Sequence, residues 1–211
     1  MSAPSSSVQL NNPTAASALQ AYGSRTVNRL VPAEHSWSAA EAAAASATAV
    51  HAAAACSATV DQTITIAITA PPCARNITAT TSGTSGDVKA VQVVITGTDI
   101  DGNEITESLP AFTVNTNETV TGSKAFATVT SYLVPAMDGT GCSVSIGFGD
   151  KLGLPYKFAR NPVLRTFLGT TLEGTAATVA VSSSALENNT VDLNSALNGT
   201  AVTVEMLVPG A

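Results

Sequence analysis

A chain of 211 residues can bury a real core, yet only 11% of this one is charged, less than half the usual share for a soluble domain. Its formal net charge of -6 argues against nonspecific nucleic-acid binding, which needs clustered Lys and Arg to neutralise phosphates. No apolar run approaches the ~18 residues of a membrane helix.

Taken in order, residues 1–58 read as an N-terminal arm. Up to about residue 37 the arm is polar and without periodicity, too poor in apolar side chains to fold alone. It is expected to be disordered or ordered against a neighbour. No basic start and apolar run mark a secretory leader, so the chain is expected to be made in a cytosol. The Asn-x-Thr triplets at Asn76, Asn117, Asn188 and Asn198 then read as composition, not as glycan sites. Trp37, the single Trp, reads as an anchor of the arm onto the body. Ser38 and Glu41 have the spacing of a capping box, and Ala dominates onward, so propensity predicts a short Ala-rich helix over 39–55. Val50 is the one large apolar residue in it, and His51 reads as a partly exposed helical histidine.

From residue 59 the apolar period changes to two, the mark of half-buried strands. Strands are expected over 60–68, 76–81, 125–134, 142–146, 177–181, 190–193 and 200–208, separated by Gly, Pro, Asn and Ser turns. Residues 89–110 read as the central hairpin, with Asp101–Gly102 as a two-residue loop. Gly147 to Pro155, GFGDKLGLP, reads as a Gly-rich loop, and Lys157, Arg160 and Arg165 form a local basic cluster. Short strands with regular turn signals argue for an all-β fold, a β-sandwich or barrel-like body of antiparallel strands. The expected division is an arm at 1–58, a core at 59–156 and a C-terminal β segment at 157–211, packed on the core or forming a small second domain.

Few residues advertise chemistry. Asp99, Asp101 and Glu104 alternate as oxygen ligands for a hard cation would, but the twelfth position is Pro110 where a calcium loop needs Glu. A solvated turn is the preferred reading, with Asp99 facing Glu104 across the two strands. GFGDKLGLP and Thr121–Lys124 match no phosphate-cradle pattern. A Ser-His-Asp triad would have to use His35 or His51, both outside the expected β body. Cys56, Cys73 and Cys142 have neither zinc nor disulfide-framework spacing. They are expected as reduced structural thiols, with a Cys56–Cys73 bridge as the alternative. No catalytic residue, metal site or cofactor is assigned.

The run ARNITATTSGTSGDVKAVQVVITGTDIDGNEITESLPAFTVNT, with TVTGSKAFATVTS, SIGFGDKLGLP and NTVDLNSALNGTAVTVEMLVP, resembles virion structural proteins of tailed bacteriophages and prophages. The similar region covers roughly Ala74 to Pro209. The resemblance implies a β-rich, non-catalytic protein on the phage particle, made in the host cytoplasm. Head decoration (cement), neck and tail are all open to it, and an adhesive, carbohydrate-binding module is the rival from another class. Decoration of a viral capsid implies the major capsid protein and further copies of this chain as partners. A homotrimer is favoured by the threefold positions of a capsid lattice, with neither nucleic acid nor membrane as partner.

Overall fold

The structure is a computed structural model that describes residues 30–209, of which Pro32–Val208 form one compact unit. Fourteen strands build it: β1 (Leu30–Trp37), β2 (Ser46–Ala55), β3 (Gln62–Ile64), β4 (Arg75–Gly83), β5 (Val94–Thr98), β6 (Glu104–Ser108), β7 (Thr119–Phe126), β8 (Thr128–Val134), β9 (Cys142–Gly153), β10 (Val163–Leu168), β11 (Thr171–Leu172), β12 (Thr178–Ala180), β13 (Thr190–Asp192) and β14 (Val202–Pro209). The only helical pieces among the described residues are two three-residue 3-10 turns, Ser85–Asp87 and Leu186–Asn188. The chain is therefore all-β, as its period-two patterning predicts.

Three sheets share the strands. The central one runs β12-β13-β9-β4-β7, with β2 added alongside β9. The second runs β3-β8-β5-β6, and the third runs β1-β14-β10-β11. Alternate residues of β4 and β9 (Ile77, Ala79, Val144, Ile146 and Phe148) meet Ile95, Val129, Tyr132 and Val134 of the second sheet in the main core. Each apolar Å² withdrawn from water contributes about 25 cal/mol, so this cluster is the dominant stabilising feature. β14 buries Val202, Val204, Met206 and Val208 at the same period of two.

The predicted strand over 125–134 is interrupted at Ala127. Phe126 ends β7 in the central sheet and Thr128 begins β8 in the second, with the Ala127 N–H donating to Thr98 O at 2.8 Å. This bend carries the chain from one sheet to the other, a common way to turn a sheet corner. The predicted strand over 60–68 shrinks to β3, because Ala67 turns into the left-handed region at φ 56°.

The Ala-rich stretch is not a helix. The capping box forms: the Ser38 N–H donates to Glu41 Oε2 at 2.8 Å, and the Glu41 N–H donates to Ser38 Oγ at 3.3 Å. It closes one turn, in which the Ala42 N–H donates to Ser38 O at 2.9 Å, and the chain then extends as β2. An Ala helix with one large apolar residue has little to bury, whereas the extended form pairs with β9 and drops Val50 into the main core. Tertiary pairing overrides propensity here. Of the arm expected at 1–58, residues 32–58 lie in the same compact unit as the strands that follow, and residues 1–29 lie outside the described residues.

GFGDKLGLP is likewise not a loop, since β9 runs through to Gly153. Its glycines answer crowding. A Cβ at Gly147 would overlap Ser46 O, and one at Gly149 would press on the Asn76 amide. Glycine inside a strand here marks close approach of neighbouring chain.

Candidate functional site

Several of the side chains singled out in the sequence are held by hydrogen bonds within the fold. Asp99 closes the central hairpin, whose loop spans five residues, not two. Thr98 pairs with Glu104, the Asp99 N–H donates to Asn103 O at 2.9 Å, and Gly102 takes φ 82°. This is the longer hairpin turn with a bulge glycine. Asp99 Oδ1 accepts from the N–H groups of Asp101 and Asn103, both at 2.9 Å, and Oδ2 accepts from the Asn103 amide at 3.0 Å. The buried carboxylate thus faces protein donors, and Asp99 does not oppose Glu104. Among the described residues, no group of three or more His, Cys, Asp or Glu could hold a metal ion.

The two histidines lie on different strands. His51, on β2, stacks edge-on against Tyr132 at 5.2 Å, and its Nδ1 sits 2.8 Å from Tyr132 Oη and 2.5 Å from Ala52 O. Its ring contacts with Tyr132 link β2 to β8. His35, on β1, meets Trp37 edge-on at 4.5 Å. Trp37 is buried, as expected of an anchor.

His35, Trp37, Glu41 and Cys73 line a cleft of about 320 Å³. It collects residue types that serve in catalysis, of which Glu41 and Cys73 are engaged by hydrogen bonds within the fold. Burial lowers the pKa of His35, against the opposing pull of Glu41. Glu41 accepts from the Ser38 backbone and hydroxyl. Burial pushes the Cys73 thiol up to about 12, so at neutral pH it is no nucleophile. The Thr121–Lys124 segment offers its Ser123 N–H to Glu107 Oε1 at 2.7 Å, which fills the place an anion would take.

Arg75, to which the sequence assigns no role, is the most deeply buried cation among the described residues. Its side chain is fully buried. Nε and Nη2 donate to Gly149 O at 2.9 and 2.5 Å, and Nη1 donates to Ala43 O at 2.7 Å and Glu41 O at 3.4 Å. Phe148 lies 4.4 Å below the guanidinium. Arg75 ties the turn before β2 to the middle of β9. A lone Arg opening a Thr-rich strand was the available signal.

What remains free is surface. β10 and β14 pair with a bulge between Val163 and Arg165. Leu164 is turned outward there, 54% exposed, and lines two clefts of about 240 and 350 Å³. Leu172, 51% exposed, lines the first of these. Arg165 does not stand free beside them: its Nη2 pairs with Glu205 Oε2 at 2.6 Å. The site the structure offers is a sheet face with apolar prominences, flanked by Glu34, Arg165, Glu173 and Glu205.

No family, no curated protein and no solved structure matches this chain.

Proposed function

We propose that this chain is a non-catalytic structural protein of a tailed-phage particle, specifically a decoration (cement) protein on the outside of the head that bridges capsid subunits as a homotrimer. The observation that carries the reading is the apolar patch of Leu164 and Leu172 on the β10–β11 face of a charge-poor chain. Such side chains gain by being covered, at about 25 cal/mol per Å². The resemblance of the strand-and-turn phrases over Ala74–Pro209 supplies the particle. The engagement of His51, Glu41 and Cys73 by hydrogen bonds within the fold favours binding as the role. A protein that binds only the assembled lattice raises its apparent stability by mass action.

The test is particle imaging that places the chain, with its copy number measured by mass. Copies comparable to the capsid protein support decoration. A few copies per particle would move the chain to the neck or tail, and its absence would overturn the proposal. Leu164→Asp with Leu172→Asp should fold with unchanged thermal stability and fail to load onto particles. Normal loading would remove the patch from the argument.

A further inference from the structure

The fold keeps Cys56 away from Cys73 as a partner and sets it against Cys142. Cys73 donates to Glu41 O at 3.5 Å in the cleft below Trp37. Cys56 is the residue after β2 and Cys142 is the first residue of β9. Ala54 pairs with Val144 and Ala55 with Ser143, so the antiparallel ladder continues to Cys56 opposite Cys142. The Cys56 N–H donates to Cys142 O at 3.1 Å, which confirms the register. Opposed residues of such a hydrogen-bonded antiparallel pair project to the same face with Cα atoms roughly 5.5 Å apart. A disulfide needs a Cα separation of roughly 4.4–6.8 Å. Both side chains are buried, at 5% and 2% exposure, and belong to the same hydrophobic cluster.

We propose that Cys56 and Cys142 are an oxidative modification site, where an oxidant of the disulfide class closes a cross-strand bridge fastening the end of β2 to β9. One thiol loses its proton and attacks a sulfur of glutathione disulfide, giving a mixed disulfide and one reduced glutathione. The second thiolate attacks the protein sulfur of that mixed disulfide and releases the second glutathione. Two protein thiols are oxidised and one disulfide is reduced to two thiols, so electrons and protons balance. The bridge has a mechanical purpose. The β2–β9 ladder is irregular between Ser46 and His51 and again between His51 and Ala54, so β2 is held by a broken set of bonds. A covalent link at its far end would fix it.

Burial also sets the rate. It raises the Cys56 pKa to about 12, with Cys142 adding to the rise, so little thiolate exists in the closed fold. Closure then proceeds through fraying of the β2 end and is slow at neutral pH.

The test incubates the full chain with glutathione disulfide at mildly alkaline pH, then counts thiols after denaturation and maps peptides without reduction. The expected result is a fall from three free thiols to one, with Cys56 linked to Cys142 and Cys73 free. The Cys73→Ser variant should form the same bridge and retain no thiol, and its thermal midpoint should rise on oxidation and return on reduction. Three surviving thiols, a bridge that includes Cys73, or stable glutathione adducts with no internal link would each overturn the proposal.

Discussion

Arg75→Met is the substitution whose cost follows most directly from the structure. Met keeps most of the side-chain volume and can still lie on Phe148, so the change isolates the polar function. It strips hydrogen bonds from Gly149 O, Ala43 O and Glu41 O. Each buried carbonyl left unpaired costs about 1–3 kcal/mol. Loss of the cation over the ring removes about 0.5–2 kcal/mol more. Against this stands the relief of burying no charge, which in other proteins offsets much of such a loss. The Asp150 contact contributes little to the sum, because Asp150 is 30% exposed and its Oδ1 sits 3.5 Å from Nη2. The balance is a loss of roughly 3 kcal/mol, a large share of the ~5–15 kcal/mol that holds a domain together. Urea unfolding reads this as a lower midpoint at unchanged slope. Hydrogen exchange should localise the damage to residues 39–45 and the centre of β9. Asp150→Asn should cost under ~1 kcal/mol. A loss below about 1 kcal/mol for Arg75→Met, or one matched by Asp150→Asn, would refute the assignment of Arg75 as the tie between these segments.

Three further outcomes follow from the same contacts. Gly147→Ala should cost about 2–3 kcal/mol, because the added methyl meets Ser46 O at the place where β2 crosses β9; urea unfolding measures it, and a neutral result would contradict the crowding argument. Asp99→Ala should cost about 1.5–3 kcal/mol by removing charge-assisted bonds from the hairpin turn, and calcium should leave the wild-type thermal midpoint unmoved because the carboxylate already faces N–H donors. Cys56, Cys73 and Tyr132 are raised by burial to about 12 from ordinary values of 9.0, 9.0 and 10.0, so between those values the folded state holds more protons than the unfolded one. Their contribution is complete below pH 9 and is lost as pH rises toward 12, and a pH series of unfolding midpoints should fall there. His35, lowered by burial, acts with the opposite sign and costs stability as pH drops below 6.5.

The sequence carried the sheets where side chains alternate and hid them where they do not. Val93 and Ile95 in the central hairpin, and Val202, Val204 and Met206 in β14, announce their strands because each second residue is large and apolar. β2 and the second half of β9 carry almost no such signal. Ala fills much of one, mostly on its exposed side, and Gly interrupts the other, where Gly147 meets the backbone of β2 and Gly149 the Asn76 side chain. Small residues read as helix or loop by propensity, but here they sit on strands that pair within the central sheet. The capping box at Ser38 and Glu41 shows the same conflict locally: its hydrogen bonds form, yet a single turn is all that follows. For the exposed patch, the unreadable step is the β10 bulge, because a register shift rotates Leu164 outward without any change in composition.

The irregular ladder of β2 has a consequence for association. A ten-residue, charge-free strand beside β9 resembles the exposed edge that recruits strands from other chains. Several of its outward groups are already used: Val50 O accepts from the Thr69 N–H at 2.8 Å, and Ala52 O sits 2.5 Å from His51 Nδ1. Together with the two register shifts, these bonds deny a second strand a continuous run of donors and acceptors. The chain thereby keeps an Ala-rich surface without offering it as a template for uncontrolled pairing. Contacts with neighbours are then left to side chains, as at Leu164 and Leu172, and those can be matched to one partner geometry. A fused or inserted strand complementary to β2 should therefore bind weakly, whereas charge at Leu164 should abolish any assembly the chain makes.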